Sequence, residues 1–260
     1  MSDSILLQVQ NGVATITLNR PQVFNSFNKQ MAFAMQDALD ACAANTEVRA
    51  VLITGNGKAF CAGQDIQEIT NPDLNPGFKA ILDDHYNPII LKIRNLEKPV
   101  VAAVNGVAAG AGANIALCCD VVIATESAAF IQAFTKIGLI PDSAGTFFLP
   151  RLIGFGKASA AMMLADKITA TQADHMGMIY KAVPDDSFIE TAQQTAHKLA
   201  DLPTVALANT KKALNRSFYN TVEQQLALES ELQIESAATA DYAEGVAAFI
   251  EKRTPVFNGK

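Results

Sequence analysis

The chain has 260 residues, 50% of them hydrophobic and 18% charged, which is the composition of a globular protein long enough to bury a full core. Its formal net charge of -6 gives no general attraction to nucleic acid or to an anionic membrane. The cysteines at 42, 61, 118 and 119 form neither a CxxC pair nor a zinc-finger spacing. Because the N-terminus also lacks a secretory pattern, we expect reduced thiols, no metal site and a cytoplasmic protein.

The first two thirds of the chain alternate between strand and helix patterns. The turn Asn11-Gly12 between two apolar runs predicts a β-hairpin, and apolar residues at helical spacing predict a helix over 28–42. Three short apolar runs predict buried strands: 50–54, 100–104 and 120–124. This recurrence predicts an α/β fold of stacked β-β-α units rather than one open sheet.

After about Ser187 the strand patterns stop. Four helices are predicted in this part of the chain: 191–200, 203–217, 222–238 and 241–252. Their apolar faces need a surface to pack on, either the core or another subunit. We therefore expect a core over 1–200 and a helical oligomerisation region over 201–260.

The segment from Pro99 to Cys119 carries no charge, and Gly106-Val-Ala-Ala-Gly110 within it is a small-xxx-small pattern. It also contains proline, asparagine and several glycines, and alanine takes the place of the larger apolar residues of a membrane-spanning helix. We therefore predict a buried strand, a glycine turn and a buried helix instead of a membrane span.

Two glycine-bearing loops, 55–66 and 104–114, each follow a predicted strand. Small residues let a ligand approach the backbone, and a helix N-terminus presents unpaired N–H groups to negative charge. Neither loop has the spacing of a P-loop or of a dinucleotide-binding fingerprint. The loops therefore favour a ligand held by main-chain groups and argue against a nicotinamide enzyme.

Asp142 is the only acid between Glu126 and Asp166, and it lies among small and apolar residues. Loss of water around a carboxylate raises its pKa towards the range where it can accept and return a proton. The alternative is structural, because Asp142 follows Pro141 and its side chain could cap the next helix.

The chain resembles the crotonase (enoyl-CoA hydratase/isomerase) superfamily from about residue 5 to residue 253. Four motifs carry the resemblance, in this order: Asn19-Arg-Pro, Phe60-Cys-Ala-Gly-Gln-Asp-Ile66, Asn105-Gly-Val-Ala-Ala-Gly-Ala-Gly-Ala-Asn114 and Gly138-Leu-Ile-Pro-Asp-Ser-Ala-Gly-Thr146. It implies a spiral of β-β-α units that binds an acyl-CoA thioester. It also implies that the backbone amides of Gln64 and Ala111 stabilise a thioester enolate as an oxyanion hole.

The resemblance further implies the residues around the substrate. Coenzyme A, which is part of the substrate and not a separate cofactor, is expected at Phe24, Ala62, Asp65, Ile66 and Lys252. The acyl pocket is expected at Tyr86, Asn114 and Phe134, with its size set by the loop-like region 67–88. The expected assembly is a homotrimer or a dimer of trimers.

The departures from the family concern its catalytic acids. Family hydratases carry glutamates at the positions matching Asn114 and Phe134, whereas Asp142 matches the aspartate of several isomerases. The resemblance thus implies an isomerase that moves a double bond or opens a ring epoxide, with motifs most similar to those of isomerases of ring-epoxide phenylacetyl-CoA. The alternatives are a hydratase, a hydrolase with Asp142 as nucleophile and His85 as base, and an RNA-binding member, which the negative charge disfavours.

Overall fold

The core of the chain consists of two β-sheets, and the computed structural model describes them within residues 3–260. The larger sheet has the order β1-β2-β3-β5-β7-β10, in which β1 and β2 are antiparallel and the remaining pairs are parallel. Its strands are β1 Ile5–Gln10, β2 Val13–Leu18, β3 Ala50–Gly55, β5 Val100–Val104, β7 Val121–Thr125 and β10 Lys181–Val183. The predicted hairpin is confirmed, with Asn11 and Gly12 both at positive φ in its turn.

The smaller sheet has the order β4-β6-β8-β9. Its strands are β4 Ala59–Cys61, β6 Val107–Ala109, β8 Ala129–Ile131 and β9 Ile168–Thr169. The strands β4, β6 and β8 each follow a strand of the larger sheet after a short turn, and each leads into a helical segment. The predicted repeat of β-β-α units is therefore confirmed.

Helices cover both faces of the larger sheet and form the C-terminal part of the chain. They are α1 Lys29–Ala44, α2 Ile66–Thr70, α3 Phe78–Ala80, α4 Asn87–Asn95, α5 Ala111–Leu117, α6 Gly145–Leu164, α7 Ala170–His175, α8 Phe188–Ala200, α9 Thr204–Ser217, α10 Val222–Ala237 and α11 Ala240–Glu251. The four helices predicted after Ser187 are confirmed as α8 to α11. Region 67–88 was predicted to be loop-like, which holds for residues 71–77 and is wrong for the remainder: that part forms α2, α3, a π-helix over Ile81–Tyr86 and the start of α4.

The central strands β3 and β5 of the larger sheet are apolar on both sides because helices cover both sides. In β3, Val51 and Ile53 belong to the main core with α1 and α4, whereas Ala50 and Leu52 face a second core that includes Phe188 of α8. A strand buried on two faces has a continuous apolar sequence instead of an alternating one. This explains why the strand runs are recognisable in the sequence.

The uncharged segment 99–119 forms β5, β6 and α5, so the predicted strand, turn and helix are confirmed. Another helix, α6, is long and apolar enough to be a candidate membrane span, and about a quarter of it is buried (28%). However, α6 contains Pro150, and Gly154 has φ 77° and ψ 157°, which divides it into two shorter helices. Neither half has the length that a bilayer core requires.

The helix α9 is attached to the core by a buried lysine. Lys211 is 7% exposed and forms an ion pair of 2.8 Å with Asp120, which also binds Arg94 at 2.9 Å. The Lys211 ammonium also donates a hydrogen bond to the carbonyl of Ile93, 2.7 Å away. The helix is thus fixed to the end of α4 and to the start of β7, while the division of the chain near residue 200 stays a prediction.

Candidate active site

The segment 62–65 is held in place by the chain just before α1. The amide of Ala62 donates to the carbonyl of Phe24 at 3.0 Å, and the amide of Asp65 donates to the carbonyl of Phe27 at 2.8 Å. Phe27 in turn donates to the carbonyl of Gly63 at 2.7 Å. Within residues 3–260 these bonds leave the Gln64 amide without a protein acceptor, so it is free to bind a ligand.

The second candidate donor lies on the neighbouring segment. A Cβ built on Gly63, where φ is +90°, would be 3.0 Å from the carbonyl oxygen of Ala109 and 3.6 Å from the amide nitrogen of Ala111. Ala111 is the first residue of α5, where helical amides have no partner inside the helix. The structure therefore places the segments of Gln64 and Ala111 side by side, and glycine at position 63 permits the close approach.

Asp142 belongs to a loop with unusual backbone angles. Ser143 and Ala144 follow it with φ of 50° and 58°, and such left-handed residues other than glycine cost roughly 1–3 kcal/mol each. The helix α6 begins after Ala144 without any side-chain cap, because the left-handed turn points the Asp142 carbonyl at the Gly145 amide, 2.9 Å away. The capping alternative for the Asp142 side chain is therefore wrong.

The side chain of Asn114 holds this loop in place. Its side-chain amide donates to the carbonyl of Asp142 at 2.8 Å, and its side-chain oxygen accepts from Gln132 at 2.8 Å. Asn114 is 1% exposed, and a Cβ on Gly145 would lie 2.3 Å from its Nδ2. The residue predicted to line the acyl pocket therefore uses its side-chain amide to hold the backbone of Asp142.

The carboxyl group of Asp142 differs from the two other acids near the candidate amides. Burial raises the pKa of Asp142, and a hydrogen bond of 2.8 Å from the Ser143 hydroxyl to Oδ1 opposes this shift. Among the described residues its Oδ2 has no protein donor. By contrast, Asp65 binds Arg20 through Oδ2 and the amide of Gln67 through Oδ1.

Glu68 is a buried acid that the sequence did not reveal as part of this region. It is 7% exposed, and its Oε1 accepts from the amide of Lys29, at the N-terminus of α1, at 2.7 Å. Its Oε2 accepts from the side-chain amide of Gln64, also at 2.7 Å. The spacing of Asp65 and Glu68 suits a capping box, which could have drawn attention to Glu68, but its carboxylate reaches a different helix.

The π-helix Ile81–Tyr86 places two polar side chains in the interior. His85 is 2% exposed and its ring lies 5.5 Å from that of Phe33, while Tyr86 is 1% exposed and lies 5.9 Å from Phe27. Burial lowers the pKa of His85 and raises that of Tyr86 well above its ordinary value. Single π-helical turns are frequent at functional sites, because they re-aim side chains.

Phe134 lies next to the segment that carries the Ala111 amide. It is buried in a short 3₁₀ helix, and its ring would be 3.8 Å from a Cβ on Gly110, the residue before Ala111. An apolar wall next to a charged intermediate excludes water and strengthens the hydrogen bonds to it. This position suits the pocket wall that the sequence predicted.

The predicted coenzyme A residues do not all lie together. Phe24, Ala62, Asp65 and Ile66 share one surface, held by the bonds of segment 62–65, and Phe24 and Ile66 are both 57% exposed. Lys252 follows the end of α11, and no hydrogen bond or ion pair within residues 3–260 connects it to that surface. The structure thus brings four of the five candidates together, and the Asp65 carboxylate is already occupied.

A cavity of about 1240 Å³ lies elsewhere, between α4, α6 and α9. Arg94, Phe147 and Lys211 line it, whereas Gln64, Ala111 and Asp142 do not. We locate the candidate site by the two amides and the acid rather than by cavity size, because these groups have the chemistry of an enolate site.

Known proteins share both the sequence and the fold. The family model described as enoyl-CoA hydratase/isomerase matches residues 8–260. The 1,2-epoxyphenylacetyl-CoA isomerase of Escherichia coli is 44% identical, covering 100% of both chains, and a "Probable enoyl-CoA hydratase" of Rhodobacter capsulatus is 46% identical, covering 99% of this chain and 98% of the other. A solved enoyl-CoA hydratase of a Polaromonas species is 33% identical with a TM-score of 0.90, covering 97% of this chain and 99% of that one.

The solved relative shares the fold of repeated β-β-α units described above. Full-length identity well above 30% and a near-complete family match leave the membership in no doubt. The chain is an enzyme of the enoyl-CoA hydratase/isomerase (crotonase) family.

Proposed function

We propose that this enzyme is an acyl-CoA isomerase in which Asp142 moves a proton within the substrate. The backbone amides of Gln64 and Ala111 would bind the thioester oxygen while it carries negative charge. The observation that supports this most strongly is the state of the nearby acids. Both oxygens of Glu68 and of Asp65 are taken by protein donors, whereas Oδ2 of Asp142 has none among the described residues.

The proposed reaction needs one acid–base group and no added atom. Asp142 removes a proton from the carbon next to the thioester carbonyl, and the resulting enolate is delocalised along the acyl group. The protonated Asp142 then returns the proton to a carbon two positions further along. Burial that raises the pKa of Asp142 favours this cycle, since the group must exist in both protonation states during turnover.

The oxyanion hole would supply most of the stabilisation of the intermediate. Loss of one such donor in other enzymes costs about 3–4 kcal/mol of transition-state stabilisation. The donors here belong to main chain held by neighbouring segments, so they are oriented before the substrate binds. Preorganisation of this kind avoids the cost of turning dipoles during the reaction.

For the acyl group we propose a ring-epoxide phenylacetyl thioester or a 3-enoyl thioester. The full-length similarity to the 1,2-epoxyphenylacetyl-CoA isomerase of Escherichia coli supports the first. The aromatic side chains of Tyr86 and Phe134 are of a kind that packs well against a six-membered ring. Coenzyme A would lie over Phe24, Ala62 and Ile66, and we propose no further cofactor.

We also propose that the subunits associate as a homotrimer or a dimer of trimers. Large apolar side chains remain exposed on the C-terminal helices, among them Leu226, Ile234, Phe249 and Ile250. Subunit association would bury these side chains, and exposed apolar surface is typical of protein interfaces where it is contiguous. The cytoplasm is the compartment we propose, on the basis of the free cysteines.

A hydratase is the second candidate, because relatives include the "Probable enoyl-CoA hydratase" of Rhodobacter capsulatus and the 2,3-dehydroadipyl-CoA hydratase of Escherichia coli, 37% identical. Hydration needs one group to activate water and another to deliver a proton. Asn114 cannot exchange a proton, and its side chain is occupied by Asp142 and Gln132. Phe134 is apolar, so the positions of both family glutamates are without an acid.

A hydrolase that uses Asp142 as nucleophile would need His85 as its base. The charges that act on the pKa of His85 are those of Glu68, Asp84 and Lys29, whereas the charge of Asp142 acts on Tyr86. This arrangement favours proton transfer by Asp142 over nucleophilic attack.

The test is product analysis with a panel of acyl-CoA thioesters, including 3-enoyl and ring-epoxide phenylacetyl forms and crotonyl-CoA. An isomerase converts the first two into products of unchanged mass and forms no 3-hydroxyacyl-CoA from crotonyl-CoA. Formation of the hydroxyacyl product at a comparable rate would identify a hydratase. Oxygen from labelled water in Asp142 during turnover would identify the hydrolase.

A further inference from the structure

Buried polar atoms without a hydrogen bond are rare in folded proteins and are costly to keep. Within residues 3–260, four side-chain atoms are in this state: Gln64 Oε1, His85 Nδ1, Tyr86 Oη and Gln132 Oε1. Gln64 is a candidate oxyanion residue. Gln132 donates a hydrogen bond to Asn114, which in turn binds the backbone of Asp142. Gln64, Gln132 and Tyr86 therefore hold unpaired buried atoms at or next to the proposed active site, which points to a polar ligand that satisfies them.

The hydroxyl of Tyr86 is the best placed of these groups. Its ring packs against Phe27, the residue whose backbone holds segment 63–65, at 5.9 Å between ring centroids. The phenol is close enough to feel the charges of Asp142, Glu68 and Asp65, which are the acids of the proposed active site. At 1% exposure it has no access to bulk water.

The chemistry of Tyr86 also differs from that of its neighbours. Burial raises its pKa well above the ordinary value, so the phenol keeps its proton and can donate it in a hydrogen bond. The free atom of Gln64 is a carbonyl oxygen, which can only accept, because Nε2 is already bound to Glu68. An ether, epoxide or hydroxyl oxygen needs a donor, and Tyr86 supplies one.

We propose that the Tyr86 hydroxyl selects acyl groups that carry an oxygen atom, by donating a hydrogen bond to that oxygen. The inference rests on the proposed function, because it assigns a substrate class to the same site: oxygenated ring thioesters ahead of plain hydrocarbon enoyl thioesters. Without such an oxygen the phenol stays buried and unpaired. A site of this design rejects an analogue that lacks the polar group.

The test compares two stable thioesters that differ in one oxygen, phenylacetyl-CoA and 2-hydroxyphenylacetyl-CoA. The hydroxyl of the second occupies a ring carbon that also carries oxygen in the 1,2-epoxide. Calorimetry is expected to show at least about tenfold tighter binding of the hydroxylated thioester to wild type. In Tyr86→Phe the preference should shrink to about twofold or less, and Tyr180→Phe, at a tyrosine that is 65% exposed, should keep it.

Thermal unfolding of the ligand-free variants separates ligand binding from a structural role. A hydroxyl without a partner contributes nothing to folding, so Tyr86→Phe should unfold at or above the wild-type temperature. A clear fall would show that the hydroxyl is bonded inside the protein and would overturn the proposal. Equal binding of the two thioesters, binding of neither, or a preference that survives Tyr86→Phe would do the same.

The binding test does not depend on turnover. If wild type isomerises no thioester but Tyr86→Phe abolishes the preference, the proposed reaction is wrong and the assignment of Tyr86 stands. If Tyr86→Phe keeps the preference while Asp142→Asn abolishes isomerisation, the reaction stands and the assignment of Tyr86 is wrong.

Discussion

The side-chain amide of Asn114 donates a hydrogen bond of 2.8 Å to the backbone carbonyl of Asp142, 28 residues further along the chain. This bond connects α5, which begins with a candidate oxyanion amide, to the loop that carries the candidate base. The distance between base and oxyanion hole is thereby fixed by a buried contact. Four predictions follow from contacts of this kind.

The first concerns Gly145, which packs directly on Asn114. In Gly145→Ala the new Cβ would lie 2.3 Å from Nδ2, so the Asn114 bond must break or the loop must move. Overpacking of this kind costs about 1–3 kcal/mol, and displacement of Asp142 should lower kcat about tenfold or more. Gly156→Ala, in the second half of α6 with open space around it, is the control and should preserve kcat and stability. Equal behaviour of the two variants in unfolding and rate measurements would contradict this account.

The second prediction concerns the stability cost of Asp142. Its folded pKa is raised by burial, so the folded state binds the proton more tightly than the unfolded chain does. Stability is therefore lost as the pH rises from the ordinary value of 3.8 through the raised pKa, and this loss is complete above it. Asp142→Asn should be at least as stable as wild type at neutral pH, with a smaller advantage at pH 4.

Asp65→Asn provides the contrast, because its carboxylate is paired with Arg20 at 2.8 Å. Loss of this charge should destabilise the protein at neutral pH, as for other partly buried ion pairs. Denaturant unfolding of both variants at the two pH values measures the difference. A destabilised Asp142→Asn at neutral pH would show that the Asp142 carboxylate is a structural group.

The third prediction concerns Glu68, which holds the Gln64 side chain. In Glu68→Ala the backbone amide of Lys29 and the side-chain amide of Gln64 lose their acceptor. Each unsatisfied buried donor should lower the free energy of unfolding by roughly 1–3 kcal/mol. Because Gln64 then loses its anchor, kcat should fall while binding of coenzyme A alone is preserved. Glu97→Ala, at an exposed glutamate, should stay within about 0.5 kcal/mol of wild type. Unchanged kcat in Glu68→Ala would rule out this positioning role.

The fourth prediction concerns the attachment of α9. Lys211→Ala removes a buried ammonium that binds Asp120 and the carbonyl of Ile93. The free energy of unfolding should fall by about 3 kcal/mol. This is the lower end of the range for a broken buried ion pair, because Asp120 keeps its bond to Arg94. The exposed neighbour Lys212 is the matched control, and its alanine variant should change little. Limited proteolysis should cut the helical region faster in Lys211→Ala alone; equal protection in both variants would be inconsistent with this attachment.

The features that the sequence predicted well are those that depend on local patterns. The Asn11-Gly12 turn fixes the hairpin through its positive φ angles, and strands buried on both faces are recognisable as apolar runs. The second strand of each β-β-α unit is only three residues long in β4, β6 and β8, so it has no pattern to recognise. Its formation depends on pairing with a neighbour that is distant in sequence.

The mistaken expectations depended on backbone angles and distant contacts. Serine and alanine give no indication of left-handed angles, so the turn at Ser143 and Ala144 that excludes Asp142 from capping α6 could not be predicted. Glu68 was not singled out from the sequence, because only the fold brings its carboxylate to the Lys29 amide. The π-helix at Ile81–Tyr86 lies in a region rich in proline and asparagine, which favoured the prediction of a loop.

If Asp142 is the proton carrier of an acyl-CoA isomerase, the decisive measurement is the kcat of Asp142→Asn. An amide of the same size keeps the loop and its backbone bonds but cannot exchange a proton. We predict that kcat on the best isomerase substrate falls by a factor of about 10²–10⁴, while the thioester still binds. A variant that retains most of the wild-type kcat would contradict the account.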